Sequence, residues 1–432
     1  MRSSYPSVHT LALVAAAMAL AACFGADDAR PASAPPVVSV VSVAPPNPAA
    51  RPSTGVHFVL VRRPDRDDTW IRDLAFHPHE AIFAAADTRG LIRIYDASSG
   101  AVLRSLSGHR GAATVVAFSR DGSRIAAGGE DGHVLVWDAK SGVLALDIPA
   151  PAPLPKDRPL WPVVTSLAWN ADGTRLLTGT RGGQIRLHDA ATGALIRAIQ
   201  GPTTTDARDP NVRGLAYSPD GSTFLSSGTD CVVRLWNADG SPRTELRLFG
   251  RCEKLPEEPT FSPDGSTVAI LTNGLIQDRT IEIRWAGPKP TLAAIPSNGI
   301  YLFDLAFRHA LACEPQFRAI DHLSYGGYAM RLAWSPDGSR VAMGWQADHV
   351  AENAAGAIVL DTRTCATVAS LPVFRKVAEP GGQLEAIAWS PDGNVIAFGG
   401  PSGLAMYRAT TDPPTPRPRP TVDESPPVRA RP

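Results

Sequence analysis

Short apolar runs alternate with polar turns along most of this chain, and the alternation follows a fixed order. An apolar run ends in an aromatic residue, a four-residue polar turn follows, and a second apolar run begins one or two residues later, as between Leu332 and Met343. Runs of this length, bounded by Pro, Asp and Gly, are typical of β-strands joined by tight turns. The pattern therefore predicts a series of β-hairpins.

The hairpin unit occurs seven times. The shortest steps between units match a four-stranded propeller blade of roughly 40 to 45 residues, and the longer steps contain insertions. The turn reads Ser-Pro-Asp-Gly or a variant of it in most copies, in which Pro presets φ and Gly takes the last position of a type I turn. The aromatic anchors are Phe76, Phe118, Trp169, Tyr217, Phe261, Trp334 and Trp389. The recurring acids, interpreted as turn residues, are Asp121, Asp172, Asp220, Asp264, Asp337 and Asp392.

The first four units contain two further apolar runs, and the third run ends in an aromatic residue and an acid or amide, as at Trp137-Asp138. In blades five and six this ending is degenerate, at Phe303-Asp304 and Leu360-Asp361. With these features the chain resembles the WD40-repeat family, most closely from Gly108-His109 through Asp131-Gly132 to Trp137-Asp138. The resemblance covers roughly residues 56–408 and implies an all-β, seven-bladed propeller. It implies structural roles for His109, Asp131, Trp137, Asp230 and Trp236.

The sequence departs from the family pattern in places. Gly-His occurs once, and Ala127 stands where the family has a hydroxyl in a buried hydrogen-bond network. We therefore expect hydrogen bonding within blades to be partial and hydrophobic stacking between blades to stabilise the fold more. The long insertion after Phe261 leaves two candidates for the third strand of the fifth blade, residues 280–285 and 299–304.

The two ends of the propeller are expected to share the last blade. Residues 395–398 and 404–407 supply two strands after the last anchor, whereas the chain from Thr411 onward is too rich in proline for a sheet. An extra apolar run, residues 56–61, precedes the first anchor. We predict that it forms the outer strand of the seventh blade, so that the propeller spans residues 56–409 and a disordered tail spans 410–432.

The first residues are typical of an export signal. Arg2 precedes an apolar stretch that is too short to span a bilayer as a helix, and the stretch ends in Leu-Ala-Ala-Cys at residues 20–23. This ending resembles the lipobox of bacterial lipoproteins, which implies a signal peptide of residues 1–22 and a lipid on Cys23. The alternative is an ordinary secreted protein. The resemblance predicts a cell-envelope protein anchored to the membrane, on the periplasmic face of the outer rather than the inner membrane.

Residues 23–55 are rich in Pro, Ala and Ser and are interpreted as a disordered tether. Within the tether, residues 37–43 are uncharged and β-prone, which suits a stiff spacer or pairing with a sheet edge. Four cysteines remain besides Cys23, an even number in an oxidising compartment. We predict disulfides between Cys231 and Cys252 and between Cys313 and Cys365, with four free thiols as the alternative.

Charge and motifs argue against several function classes. The 42 basic and 42 acidic residues balance, which indicates neither nucleic acid nor an anionic surface as a partner. The sequence lacks nucleotide-binding, hydrolase and zinc-protease motifs, and its cysteines lack metal spacing. The His77-x-His79-Glu80 cluster occupies the turn position of the first unit and is interpreted as a turn. We predict no catalytic residue, metal or cofactor.

The WD40 resemblance implies an interaction platform, with the blade-to-blade connections and the turns between second and third strands on one face. Aromatic residues that repeat in register are interpreted as core, whereas aromatic and arginine side chains on that face are candidate contacts, since these types dominate binding energy. The candidates are Trp70, Arg110, Trp161, Arg181, Arg213, Tyr325, Tyr328 and Trp345.

Three functions remain open. We favour a monomeric, non-catalytic platform for a protein partner in the cell envelope. The second is an enzyme at the channel mouth, for which His109, Asp131 and His349 would have to converge around a metal. The third is a component of an envelope machine, because Trp-Ser-Pro-Asp-Gly also resembles the propeller of the Tol envelope system.

Overall fold

A computed structural model describes most of the repeat region. Every element in the described stretches is a β-strand, so they contain no helix that could cross a bilayer. The described residues are 57–62, 70–149, 163–202, 210–248, 259–273, 281–284, 291–293, 298–304, 310–313, 327–347, 355–374, 384–401 and 403–410.

The strands form seven antiparallel sheets, the blades. The chain opens with β1 (His57–Arg62) and continues through blade one with β2 (Ile71–Phe76), β3 (Ile82–Asp87), β4 (Ile92–Asp96) and β5 (Val102–Leu106). Blade two has β6 (Ala113–Phe118), β7 (Arg124–Gly129), β8 (Val134–Asp138) and β9 (Leu144–Ile148). Blade three has β10 (Val164–Trp169), β11 (Arg175–Thr180), β12 (Gln184–Asp189) and β13 (Leu195–Gln200).

The second half of the ring is less regular. Blades four and five contain β14 (Val212–Tyr217), β15 (Thr223–Gly228), β16 (Val232–Asn237), β17 (Pro242–Leu248), β18 (Thr260–Phe261), β19 (Thr267–Asn273), β20 (Ile281–Arg284), β21 (Thr291–Ala293), β22 (Asn298–Asp304) and β23 (Ala310–Cys313). Blade six has β24 (Gly327–Trp334), β25 (Arg340–Ala347), β26 (Ala355–Asp361) and β27 (Thr367–Phe374). The last strands are β28 (Ala386–Trp389), β29 (Val395–Gly400) and β30 (Gly403–Thr410).

The ring is closed by the N-terminal strand, as predicted. Strand β1 pairs antiparallel with β30, from His57 opposite Thr410 to Leu60 opposite Tyr407, and so becomes the outer strand of blade seven. Phe58 packs edge-on against Trp389 with ring centroids 5.9 Å apart. The first strands of blades seven and one, β28 and β2, are in contact, which completes the circle.

The insertion in the fifth repeat contributes strands to both blade four and blade five. Strand β22 pairs with β19 along its whole length, so the third strand of blade five lies at the second predicted candidate. The first candidate contributes β20, which with β21 forms a hairpin on the outer edge of blade four, where Leu248 pairs with Ile283. Blade four therefore has six strands, and its outer strand accepts an added antiparallel strand.

The core consists of apolar clusters between neighbouring blades. One cluster combines Ile92 and Leu106 of blade one with Val116 and Trp137 of blade two, all of them buried. Hydrogen bonding inside blades is partial: Nε2 of His109 is buried without a partner in the described part of the chain, since Ala127 offers no hydroxyl. In blade four, by contrast, Trp236 Nε1 donates to Ser226 Oγ at 2.8 Å.

The acids of the recurring turn cap their own loops. Asp121 accepts hydrogen bonds from the Ser119 and Ser123 hydroxyls at 2.6 and 2.7 Å and from the Ser123 amide. The Ser119 and Ser123 hydroxyls lower the pKa of Asp121 to about 2. Each of the other five turn acids also accepts hydrogen bonds from neighbouring hydroxyls, amides or both. These carboxylates therefore stabilise turns.

His77 replaces the serine of the turn in blade one. Its Nδ1 accepts hydrogen bonds from the amides of His79 and Glu80 at 3.2 and 2.8 Å, and its Nε2 lies 3.1 Å from the carbonyl oxygen of Gly122 in blade two. Both ring nitrogens of this buried side chain are thus used within the fold. The geometry agrees with the interpretation of His77-x-His79-Glu80 as a turn.

Cys231 and Cys365 occupy turn positions that hold glycine in other blades, such as Gly132 and Gly142. Both cysteines have positive φ, 65° and 57°, in the left-handed region that favours glycine. Each is disulfide-bonded. Cys252 lies outside the described residues, and Cys313 ends β23 rather than lying near its start, with its side chain undescribed. The two pairings therefore stay predictions.

Candidate functional site

Two sets of loops meet at one end of the blades. The turn between the second and third strands donates a backbone hydrogen bond to the residue just before or at the start of the first strand in four blades. Thr88 donates to Trp70 at 3.0 Å, for example, and Arg181 donates to Val163 at 2.9 Å. We call the surface formed by these turns and the adjoining blade connections the loop face.

Trp70 forms the first candidate group on the loop face. It is half-buried, and the Arg72 guanidinium carbon lies 4.5 Å from the centre of its ring. Arg72 Nη1 lies 4.0 Å from a carboxylate oxygen of Glu385, across the junction of blades one and seven. Trp70 Nε1 and Arg72 Nε are both buried and have no hydrogen-bond partner among the described residues.

Arg110 is exposed, and its backbone is fixed by Asp131. The Arg110 amide donates to Asp131 Oδ2 at 2.9 Å, and His109 Nδ1 lies 3.1 Å from Oδ1. Burial raises the pKa of Asp131, but hydrogen bonds from the Arg110 amide, His109 and the His133 amide outweigh it, so the pKa lies below its usual value. Asp131 therefore orders the loop and leaves the Arg110 side chain available.

Arg181 and Arg213 belong to blades three and four. Arg181 is exposed, and its backbone pairs with Asn211, which ties the turn of blade three to the entry of blade four. Arg213 is half-buried within β14, four residues before the anchor Tyr217. Arg72 has the same position in blade one, so these two arginines line the inner rim at equivalent places.

The remaining candidates are only partly described. Trp161 and Tyr325 lie outside the described residues, as does His349. Tyr328 and Trp345 lie at one end of blade six, in β24 and β25, where Tyr328 pairs with Gln346 and Trp345 with Ala329; their side chains are not described. Trp70, Arg110, Arg181 and Arg213 thus occupy the same face but belong to separate blades.

Sequence reasoning missed Arg72 and Glu385. The candidates predicted from the sequence are other aromatic and arginine side chains of the loop face, whereas Arg72 and Glu385 lie at the inner rim, four residues before Phe76 and Trp389. At that position in blades two and three, Thr114 and Thr165 donate to the carbonyl oxygens of Val164 and Val212 in the next blade. A charged residue at a place where other repeats carry a bridging hydroxyl is the signal that could have identified them.

The geometry offers little support for a metal centre. His109 and Asp131 do meet, but the His109 side chain is fully buried and contributes to the loop. Within the described stretches there is no group of three or more His, Cys, Asp or Glu side chains that could hold a metal ion. His77, the other histidine singled out by the sequence, belongs to a turn.

The chain is similar to WD-repeat proteins over about half of its length. Residues 61–250 match a family model described as nucleolar protein 10-like, N-terminal domain. Nuclear distribution protein PAC1 of Arthroderma benhamiae is 28% identical over 257 residues, which covers 55% of this chain and 54% of that protein. The chain therefore spans about half the length of this relative.

Two plant proteins show the same similarity over shorter stretches. WD repeat-containing protein VIP3 of Arabidopsis thaliana is 30% identical over 174 residues, covering 39% of this chain and 52% of that protein. Small ribosomal subunit protein RACK1 of Medicago sativa is 31% identical over 144 residues, covering 31% of this chain and 41% of that protein.

These comparisons contradict the predicted localisation. The relatives are eukaryotic and are named for nuclear distribution and the ribosome, and the matching family model is that of a nucleolar protein. The prediction of a bacterial cell-envelope protein on the periplasmic face of the outer membrane is therefore wrong. It depended on the Leu-Ala-Ala-Cys motif, a much shorter pattern than the repeat similarity. Cys23 lies outside the described residues, so its lipidation stays a prediction.

Proposed function

The chain is a WD40-repeat β-propeller, and from that premise we propose that it is a non-catalytic platform that binds a protein partner on its loop face. The group of Trp70, Arg72 and Glu385 carries the proposal. It combines an aromatic ring, a guanidinium and a carboxylate at the inner rim, with two unpartnered donors among the described residues. Trp and Arg are enriched among the residues that dominate binding energy at protein interfaces.

The rigidity of the loop face supports the proposal. In blades one to four the turns are bonded to the residue just before the first strand of the same blade, and Asp131 fixes the Arg110 loop through a carboxylate that stays ionised. A partner that meets a preorganised surface loses less conformational entropy on binding than one that must order loops. The exposed Arg110 and Arg181 extend the same surface beyond the rim.

The buried position of His109 favours binding over catalysis. A general base must reach the proton that it removes, but the His109 side chain is 0% exposed and its Nδ1 faces Asp131. The relatives named above support a platform at the level of the fold alone, because fold does not specify a partner.

The test is partner retention by the immobilised full chain. Proteins retained from an extract of the source cells would be quantified by mass spectrometry for the natural chain, Trp70→Ala, Arg72→Ala and Arg363→Ala. Arg363 is the control, since it is an exposed arginine in a turn between third and fourth strands, at the opposite end of the blade. Circular dichroism would verify that each variant is folded.

We expect the natural chain and Arg363→Ala to retain the same amount of a specific protein. Trp70→Ala and Arg72→Ala should retain about tenfold less of it, or even less than that, as is typical when a hot-spot side chain is truncated. Equal retention by all four proteins would show that the loop face does not bind. Loss with Arg363→Ala alone would assign binding to the opposite face.

A further inference from the structure

The third strands of three blades carry an arginine at one equivalent position. In blade one, Arg93 Nη2 lies 3.4 Å from a carboxylate oxygen of Asp87. In blade four, Arg234 Nη2 lies 2.6 Å from Asp230, and its Nε lies 3.8 Å from Glu245. The arginine of blade three is Arg186. Two of the three guanidinium groups are thus paired with acids of their own blade.

Arg186 has no such partner. It makes no hydrogen bond or ion pair with the part of the chain that the structure describes, and its Nε is buried. The three positions that hold acids in the other blades hold Thr180, Gly182 and Ala198 here. A half-buried charge without a counter-charge is unfavourable, because desolvation is not offset by attraction.

Arg186 lies on the side of blade three that faces blade two. It pairs with Ala198, so the two side chains share one face of the sheet. The opposite face carries Ile185, Leu187 and Ile199, which pack with buried residues of blade four. The groove between blades two and three therefore has a guanidinium in one wall.

The other wall of this groove is apolar. Leu146 of β9 packs against the apolar cluster that residues of blades two and three form together. The equivalent residues of blades one and three are Arg104 and Arg197, and each donates across its own groove to a backbone carbonyl of the next blade, at 2.6 and 3.0 Å. Leucine cannot form this bond, so the outer strands of blades two and three lack this cross-link within the described residues, and the two blades are joined instead by Arg124 Nη1, which donates to the Ala190 carbonyl oxygen at 2.7 Å. On the Arg186 side, Leu195 pairs with His188 and is 47% exposed.

We propose that the groove between blades two and three binds an extended segment of a partner protein, in which an aspartate or glutamate pairs with Arg186 between aliphatic residues that pack on Leu146 and Leu195. Charge complementarity selects this occupant, because among the described residues the groove offers a cation without an acid partner and apolar side chains beside it. Blade four shows that an outer strand of this propeller accepts an added strand, since β20 pairs with β17. The site lies between outer strands and is separate from the loop face.

In the first test, peptides that bind the full natural chain are selected from a random nonamer display library. Peptides that also bind Arg186→Gln are removed. We expect enriched sequences to contain one acidic residue flanked by aliphatic residues. Replacing that acid by its amide in a synthetic peptide is expected to weaken binding about tenfold or more, as for a charge pair formed in a desolvated groove. Arg197→Gln is the matched control, since Arg197 lies on the other face of the outer strand, and it should leave binding unchanged.

Two further variants separate charge from shape. Ala198→Glu would supply the acid that blade four has as Glu245, so it should remove the preference for acidic peptides and raise the melting temperature. Leu146→Arg would rebuild the cross-link of the neighbouring grooves and should abolish binding. Arg186→Gln is expected to leave the melting temperature unchanged or higher, because no ion pair is lost.

Three results would overturn the proposal. In the first, no peptide binds the natural chain better than Arg186→Gln. In the second, the enriched peptides contain no acidic residue. In the third, Ala198→Glu binds the acidic peptides as well as the natural chain does. A melting temperature clearly lowered by Arg186→Gln would instead show that Arg186 is paired within the chain, which also contradicts the proposal. None of these outcomes depends on Trp70 or Arg72.

Discussion

The two ends of the propeller use polar residues in different ways. At the end that carries the Ser-Pro-Asp-Gly turns, every recurring carboxylate accepts hydrogen bonds from its own loop, as Asp121 does from Ser119 and Ser123. On the loop face, Trp70 and Arg72 keep buried donors that find no partner within the described residues. The turn acids are thus satisfied within their own loops, whereas the donors of Trp70 and Arg72 are not, and for this reason we propose the rim for recognition.

Both ends depend on a closed ring, so opening the ring should have the largest effect. Deletion of residues 57–62 removes the outer strand of blade seven and exposes the cluster around Trp389 and Tyr407. We expect a loss of several kcal/mol, since Phe58 alone represents about 3 kcal/mol by analogy with other Phe→Ala changes. Urea denaturation would measure it. An unchanged midpoint would mean that β1 does not close the ring.

The next largest effect is expected for His77, which lies at the end of the propeller that carries the Ser-Pro-Asp-Gly turns and bonds to the neighbouring blade. His77→Ala removes the acceptor for two amides and the hydrogen bond to Gly122 of the next blade. We expect a loss of about 2 to 3 kcal/mol in the free energy of unfolding, because buried backbone groups lose their partners. Partner retention should not change. A stable variant with impaired retention would contradict the division between the two ends.

We expect Asp131 to contribute to both structure and recognition. Asp131→Ala leaves the Arg110 amide and the buried His109 without their acceptor, and we expect a loss of about 1 to 3 kcal/mol. Retention of the partner should fall as well, because the Arg110 loop is no longer fixed. Thermal melting and retention would be measured together. Loss of stability alone would place Arg110 outside the interface.

The acids of the Ser-Pro-Asp-Gly turns predict that the stability of the fold depends on pH. Asp121 has a pKa lowered to about 2 by the Ser119 and Ser123 hydroxyls, below an unfolded value near about 4. Its ionised form therefore stabilises the fold above about pH 4, and this contribution disappears as the pH falls toward about 2. Urea midpoints for the natural chain and Asp121→Asn should converge over that interval. Parallel curves would show that Asp121 does not contribute.

The smallest effect on stability is expected at the rim. Arg72→Gln removes a guanidinium whose only ion pair among the described residues is a 4.0 Å contact with Glu385, so the loss should stay below about 1 kcal/mol. Retention of the partner should nevertheless fall strongly. A larger loss of stability would mean that Arg72 is a structural residue, like the turn acids.

Local patterns were sufficient for the blades and their closure. The hairpin unit, the Ser-Pro-Asp-Gly turns and the extra run at residues 56–61 predicted seven sheets with β1 beside β30, and the structure confirms this arrangement. The departure from the family pattern at Ala127 predicted partial hydrogen bonding within blades, which agrees with the buried His109 nitrogen that has no partner among the described residues. These features depend on side-chain periodicity and turn chemistry within one repeat, which a sequence displays directly.

One prediction was wrong and another was left open, in both cases where the sequence information was short or distant. The bacterial localisation depended on four residues, 20–23, and the eukaryotic relatives contradict it. Both candidates for the third strand of blade five fit the repeat, and only pairing with β19 separated them. The sequence did not predict that the first candidate, residues 280–285, extends blade four, because nothing in the sequence marks the sheet edge that this strand joins.

The sequence alone determined the number of blades, their turns and the strand that closes the ring, because each of these follows from apolar periodicity and turn residues within a few neighbouring positions. Only the tertiary structure decided which charged residues meet. Arg72 meets Glu385 because ring closure brings the first and last blades together, and Arg186 has no acid partner among the described residues because blade three lacks the acids of blades one and four. Such contacts join residues far apart in the chain or depend on cross-strand register, and neither is encoded in a local pattern.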